Sequence, residues 1–230
     1  MTTPRAIFFD LDDTLIDRDR QNEAFAPRFQ EHFAEALPDM PAMLDPAALI
    51  RAIAAADLRG YRERTEFASL LQETIPWRTP PSAEELLAFW WQEFPRCSAA
   101  TEGLYEVLGQ LRGAGYRLGI ITNGIVPSQS AKIEQVKLRD HVDDVVISGA
   151  VGFHKPDPRI FHHALGRLEV TPEQAWFVGD NPINDVRGAE ALGITAVWFQ
   201  RDQPWPADLP MPRRTIRSLR ELLPMIDARR

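Results

Sequence analysis

Cysteine is almost absent from this chain: Cys97 is the single thiol in 230 residues. An intrachain disulfide framework is therefore excluded, and a reducing compartment is the expected setting. Cys97 follows Phe94-Pro95-Arg96 and has no Cys or His neighbour in sequence, so it reads as a small, semi-buried side chain rather than a catalytic thiol. Long apolar runs are missing as well. Met1-Thr2-Thr3-Pro4-Arg5 leads into only four apolar residues, Ala6-Ile7-Phe8-Phe9, before Asp10. That is too short for a signal h-region or a membrane span, so a cytoplasmic protein with no membrane partner is expected. Basic character is lacking too: 26 Lys and Arg stand against 33 Asp and Glu, for a net charge of −7, with no basic run. Such a chain has no electrostatic reason to hold a nucleic acid polymer. The same sign repels any anionic ligand, so a phosphate-bearing substrate would need local cations. Internal repeats and low-complexity segments are also missing, and nothing chooses between a monomer and a homodimer.

What is present is an ordinary globular composition, 44% hydrophobic and 26% charged, able to bury a core. The length suits one large domain or a domain with an insert. Arg5–Phe9 is predicted as a short buried strand. Four more apolar runs follow: Leu118-Gly119-Ile120-Ile121, Val145-Val146-Ile147, Trp176-Phe177-Val178 and Ala196-Val197-Trp198-Phe199. None alternates, which fits strands covered on both faces of a parallel sheet. Between them lie amphipathic helical stretches. Glu102–Arg112 carries Leu104, Val107, Leu108 and Leu111 at helical spacing before Gly113 and Gly115, and Pro158–Leu168 is another predicted helix. Thr171-Pro172-Glu173-Gln174 marks a capped turn, and Ser218-Leu219-Arg220-Glu221 opens a final helix. Strands alternating with helices predict an α/β fold with a doubly wound parallel sheet.

Residues 17–96 differ. Phe25, Phe29 and Phe33 are spaced by four, Asp45-Pro46 and Ser82-Ala83-Glu84-Glu85 look like helix starts, and Pro27 is expected to kink or restart the first helix. An insert of about 80 residues is far beyond loop length. The expected division is a core of residues 1–16 and 97–230 with a helical insert, 17–96, that would lie as a lid above the carboxyl end of the first strand, where open α/β sheets bind ligands. The proline-rich stretch from Arg201 to Pro212 is expected to be a surface loop.

In a parallel sheet the strand ends converge. The first ends in Asp10 with Asp12 two residues on, and the second in Thr122-Asn123-Gly124. The third is followed by Gly152-Phe153-His154-Lys155-Pro156, and the fourth ends in Gly179-Asp180 and continues to Asp185. Carboxylates so crowded repel unless a cation joins them, and an all-oxygen donor set points to a hard metal such as Mg2+. Such a metal would also make the site neutral enough to admit an anion. Lys155 is a compact charge for a carboxylate and a phosphate oxygen. The Thr122 hydroxyl and the amides after it are neutral donors at a strand-to-helix turn. Asp10 is then placed to attack phosphorus, and Asp12 to protonate the leaving alkoxide and later to take a proton from water.

Asp10-Leu11-Asp12-Asp13-Thr14-Leu15, Ile120-Ile121-Thr122-Asn123-Gly124, Lys155-Pro156-Asp157-Pro158-Arg159-Ile160-Phe161, and Val178-Gly179-Asp180 with Asp185 occur in that order. The arrangement resembles the four motifs of the haloacid dehalogenase (HAD) superfamily of aspartate-nucleophile phosphatases, over nearly the whole chain. The resemblance implies a Rossmann-like core with a helical C1 cap. It also implies Mg2+ on Asp10, the backbone carbonyl of Asp12, and Asp180, with Asp185 acting through a water or by orienting Lys155. Phosphate contacts are implied from Thr122, Asn123 and Lys155. The runs Leu118–Gly124 and Val145–Phe161 look most like the small pyrimidine 5'-nucleotidase branch, with phosphoglycolate and sugar-phosphate phosphatases as alternatives. The expectation is a magnesium-dependent phosphomonoester hydrolase acting on a small phosphorylated metabolite.

Plainer readings stand beside these. Asp13 is expected to turn the chain, and Thr14 to brace the loop through the backbone. Asp185 has an alternative as a helix N-cap. Arg18 and Arg20 are expected to be solvated charges. The histidines and the pair Trp90-Trp91 are expected to be structural; His162 and His163 are adjacent on a helix and so point apart. Among rival functions, a 2-haloacid dehalogenase is opposed by Asp12, since halide needs no proton. A phosphomutase differs only in the cap. A signalling receiver is shorter and lacks the insert. An inactive phosphoryl-ligand binding protein is opposed by the complete motifs.

Overall fold

The computed structural model describes residues 4–37, 45–201 and 204–227. Met1–Thr3 of the N-terminal run and Asp202 and Gln203 of the expected proline-rich loop lie outside the described residues. The chain forms two compact units, residues 1–17 with 100–230, and residues 18–99.

The first unit is a parallel sheet flanked by helices. Its strands are β1 (Ala6–Phe9), β2 (Arg117–Thr122), β3 (Asp144–Ile147), β4 (Ala175–Gly179), β5 (Thr195–Phe199) and β6 (Thr215–Ile216), in the order β3-β2-β1-β4-β5-β6. All pairings are parallel; Phe9 lies opposite Ile120 on one side and Val178 on the other. This is the doubly wound order, whose reversal point sits at β1. Five strands match the predicted apolar runs. The sixth was not predicted: two residues, Thr215 and Ile216, add to the β5 edge, too few to give a periodic signal.

Alternation along β1 explains why its run is apolar throughout. Ile7 and Phe9 face one buried cluster with Val107, Leu111 and Leu222. Ala6 and Phe8 face the opposite cluster with Ile160, Phe161 and Phe177. Gly119 of β2 is required by that packing, because a Cβ there would come 2.6 Å from the Phe8 ring. The helices of this unit are α5 (Leu104–Gly113), α6 (Val126–Gln135), α7 (Ser148–Val151), α8 (Pro158–Arg167), α9 (Gly188–Glu190) and α10 (Leu222–Asp227). The expected turn at Thr171 is a short 3-10 helix, Pro172–Gln174, in which the Gln174 side chain accepts from the Thr171 N–H at 3.2 Å. Before α10, the Ser218 hydroxyl accepts from the Arg220 N–H.

The second unit holds α1 (Arg18–His32), α2 (Pro46–Asp57), α3 (Arg64–Thr74) and α4 (Ala83–Glu93). Asp45 caps α2 by accepting from the Ala47 N–H at 3.2 Å. Ser82 and Glu85 cap α4 reciprocally. Helix α1 runs through Pro27 as one segment, so the restart considered there does not occur. The core holds Phe25, Phe29, Phe67, Trp90, Phe94 and Cys97. Because Cys97 packs here, the boundary read at residues 96 and 97 moves to Ala99 and Ala100. Trp90 is core, as expected, while Trp91 is exposed.

Arg18 is not a solvated charge. It is buried, and its Nε donates to the fully buried Asp57 Oδ2 at 2.7 Å, while Arg64 donates to Asp57 Oδ1 at 3.0 Å. Burial pushes the Asp57 carboxyl up, but the two guanidiniums outweigh it and hold it below the ordinary range. The stabilisation is thus complete above the unfolded-state value of about 3.9 and is lost as pH falls through the depressed folded value. We expect Asp57→Asn to cost about 3–5 kcal/mol, since it removes the buried anion that two guanidiniums share. Urea unfolding should also show a shallower loss of stability in acid for that variant than for the wild type; parallel acid profiles would refute the assignment.

Candidate active site

The sheet's reversal point positions the site. Asp10 continues the β1 ladder, its N–H donating to the Val178 carbonyl at 2.9 Å. The chain then turns at once: Leu15 and Ile16 both donate to the Leu11 carbonyl, and Asp13 takes a left-handed conformation, φ +58°. Asp is one of the few residues with a side chain that tolerates that region. Asp13 is therefore the turn residue expected from the sequence, and its carbonyl accepts from Arg201 Nε at 3.0 Å.

Lys155 lies between two carboxylates. Its Nζ donates to Asp10 Oδ1 and to Asp185 Oδ1, each at 2.6 Å, and the lysine is 4% exposed. Asp185 Oδ2 accepts from the Asn181 N–H at 2.9 Å. Asn181 caps the following π-helical segment, Pro182–Arg187, by accepting from the Ile183 and Asn184 N–H groups, so the cap role considered for Asp185 belongs to Asn181. Gly179 makes room for this arrangement; any Cβ there would run into the Asp185 carboxylate. Asp10, Asp180 and Asp185 are all buried, and one oxygen from each lies within 4.8 Å of the others. Asp185, read as a supporting residue, thus brings its carboxylate fully into the acidic trio.

The electrostatics follow from three carboxylates around one ammonium. Burial drives the Asp10 carboxyl up to about 7; Lys155 opposes this, and Asp185 and Asp12 add to it. Burial also lifts Asp180 well above the carboxylate range, with Asp185, Asp10 and Asp13 contributing. Burial disfavours the Lys155 cation, but Asp10 and Asp185 more than offset that and raise it. One lysine leaves the trio short of positive charge. Oxygen donors from buried carboxylates in that deficit suit a hard divalent cation such as Mg2+.

The second acid of the motif lies apart from the trio. Asp12 accepts from Lys132 Nζ at 2.7 and 2.8 Å and from Gln129 Nε2 at 3.0 Å. Any share of Asp12 in holding a metal therefore falls to its backbone carbonyl. Gln129 also donates to Thr122 Oγ1 at 2.6 Å. Sequence reasoning missed Gln129 and Lys132. The available signal was polar residues three apart, on the face of α6 that also buries Ile133.

Two other expectations change. Asn123 spends both ends of its amide on the Lys155 backbone, with Nδ2 to the carbonyl at 2.9 Å and Oδ1 to the N–H at 2.8 Å. Its side chain seats Lys155, which leaves its backbone N–H as the group to offer phosphate. Thr14 is fully buried, but its hydroxyl has no partner among the described residues, so it does not brace the loop as expected. His154 is exposed beside Lys155.

Fold and site together define a parallel α/β core with a cluster of buried acids around a buried lysine. A family model, haloacid dehalogenase-like hydrolase, matches residues 4–193, and the chain belongs to that family. It is 40% identical over 141 residues to a phosphoserine phosphatase of Thermus thermophilus, covering 61% of this chain and 55% of that one. It is 33% identical over 200 residues to a glyceraldehyde 3-phosphate phosphatase of Pyrococcus abyssi, covering 85% and 81%. It is 35% identical over 125 residues to the pyrimidine 5'-nucleotidase YjjG of Escherichia coli, covering 52% and 53%. The chain thus spans about half the length of the first and third of these relatives. Among the described residues, no helix is long and apolar enough to cross a membrane.

The raised Asp10 carboxyl fixes the sign of a pH effect. An acid that binds its proton more tightly when folded stabilises the fold at low pH and ceases to do so as pH rises through about 7. A divalent cation competes with that proton. We therefore expect the rise in melting temperature on adding MgCl2 to grow from pH 6 to pH 8 and to be strongly reduced in Asp180→Asn. Differential scanning fluorimetry reads this directly, and a pH-independent shift would contradict it.

Proposed function

We propose that this protein is a magnesium-dependent phosphomonoester hydrolase that works through an aspartyl phosphate on Asp10. The observation that carries the reading is the Asp10–Lys155–Asp185 pairing inside a buried trio of acids. Asp10 is oriented by the bond from Lys155 to Oδ1, which leaves a carboxylate oxygen for attack. As the bond from that oxygen to phosphorus forms and the ester P–O bond breaks, Asp12 gives its proton to the departing alkoxide. Asp12 then takes a proton from the water that attacks the acyl phosphate, which regenerates Asp10 and releases inorganic phosphate. Thr122, the backbone N–H of Asn123 and Lys155 supply donors to the phosphoryl oxygens. Asp10 and Asp180, with the Asp12 carbonyl and with Asp185 close by, would hold Mg2+, which when bound offsets the acids' charge and polarises a phosphoryl oxygen. The helical unit is proposed as the family's C1 cap, on the ground that it is inserted directly after the Asp10–Asp17 segment.

For the substrate we propose a small phosphorylated metabolite. The relative aligned over most of both chains is named for glyceraldehyde 3-phosphate, which favours a three-carbon ester. The nucleotidase resemblance supports nucleoside monophosphates as the second reading.

Asp10→Asn is expected to abolish turnover, by at least about a thousandfold, with the thermal unfolding profile preserved. Retained activity would remove Asp10 as the nucleophile. The substrate reading is checked by phosphate release from glyceraldehyde 3-phosphate, phosphoserine, phosphoglycolate and the nucleoside monophosphates with Mg2+. A higher kcat/KM on the three-carbon esters supports the first reading, and a preference for pyrimidine monophosphates supports the second. No release from any ester, p-nitrophenyl phosphate included, would overturn the phosphatase reading itself.

A further inference from the structure

Helix α6 carries two polar side chains that the catalytic scheme does not yet use, although both are buried at its centre. Gln129 is 2% exposed and Lys132 is 5% exposed. Lys132 Nζ reaches both oxygens of the Asp12 carboxylate, at 2.7 and 2.8 Å. Gln129 uses its Nε2 group twice, to Asp12 Oδ2 at 3.0 Å and to Thr122 Oγ1 at 2.6 Å. The amide orientation is dictated by chemistry, because an ionised carboxylate only accepts and the nitrogen must therefore face Asp12. An amide nitrogen carries two hydrogens, so the two bonds are compatible. Thr122, accepting from Gln129, turns its own hydroxyl proton toward the Asn123 carbonyl at 3.4 Å, a long bond that a phosphoryl oxygen would readily replace.

From this geometry we infer that Gln129 and Lys132 are positioning residues that set the proton-transferring Asp12 relative to the phosphate-binding Thr122. The inference rests on the phosphatase reading above. Asp12 and Thr122 come from the ends of different strands and lie 110 positions apart in the sequence. Gln129 is bonded to both. A side chain that shuttles a proton must stay within hydrogen-bond reach of the ester oxygen through the displacement, and small misplacements there are costly. Lys132, reaching both oxygens, fixes the plane of the Asp12 carboxyl group. Gln129 fixes the distance from that carboxylate to the hydroxyl gripping the phosphoryl group.

The role has a signature that a merely structural role lacks. Protonation matters for an alkoxide, a poor leaving group, and hardly at all for p-nitrophenolate, a good one. In kcat/KM, which reports the steps up to departure of the leaving group, Gln129→Met and Lys132→Met should lose at least about tenfold more on the best alkyl phosphate of the panel above than on p-nitrophenyl phosphate, as general acid catalysis is worth about 10²–10⁴. In an Asp12→Asn background the same substitutions should cost little further, since partners acting through one residue are not additive. Equal losses on both esters, or full additivity with Asp12→Asn, would overturn the inference and leave the phosphatase standing. Wild-type protein inactive on every ester would remove the phosphatase reading, and this inference with it. If one single variant fails to fold, the other gives the same comparison.

Discussion

Three buried carboxylates around one ammonium are the constraint on which the rest of the site depends. Lys155 lies between Asp10 and Asp185 at 2.6 Å from each, and Asp180 completes the trio. Close burial of like charges is unfavourable, and a single lysine does not balance it. The surrounding structure holds the arrangement anyway. Asn123 clamps the Lys155 backbone from both sides, the Asn181 N–H fixes Asp185, and the absence of a side chain at Gly179 gives Asp185 its space. The local repulsion is what a divalent cation would relieve, and with that charge offset a dianionic ester could be admitted beside it. A chain of net charge −7 thereby holds a site suited to an anion.

The sheet supplies the precision. Asp10 follows β1, Thr122 ends β2, Asp180 follows β4, and Lys155 lies in the loop after β3 and α7. Each of these strands is buried on both faces, with Ile7 and Phe9 in one cluster and Ala6 and Phe8 in the other. A one-residue slip of β1 would exchange the two sets and carry Asp10 out of reach of Lys155. The apolar packing and the register therefore set the polar geometry.

The same physics decides what was legible in the sequence. Strands covered on both faces read as unbroken apolar runs, and acids just past such runs were placed at the sheet's carboxyl edge by topology alone. Asp10, Lys155, Asp180 and Asp185 were found that way. The edge strand Thr215–Ile216 is too short to carry a pattern. The pairing of Arg18 with Asp57 spans 39 positions, and nothing local distinguishes a buried arginine from a solvated one. Asn123 was readable as a site residue, but its side chain faces the Lys155 backbone, a direction set by the fold. Thr14 shows the opposite case, a hydroxyl in a motif that is buried without a partner among the described residues.

Asp10 and Asp12 are two residues apart, and each meets a lysine from elsewhere in the chain, yet the pairings differ in kind. Lys155 is divided between two carboxylates, and its partner Asp10 is deeply enclosed, with a side chain 11% exposed. Lys132 reaches both oxygens of Asp12, whose side chain is 23% exposed. A nucleophile benefits from burial, because desolvation strips away the water that would otherwise compete for its lone pair. A proton carrier needs water and the leaving group within reach, and a cation beside it offsets the negative charge left on its carboxylate when the proton departs. Lys155 follows β3 and α7 whereas Lys132 lies on α6, so the two acids meet cations from different elements. The division of labour proposed for the motif thus rests on two lysines from distant segments, rather than on any difference between the aspartates themselves.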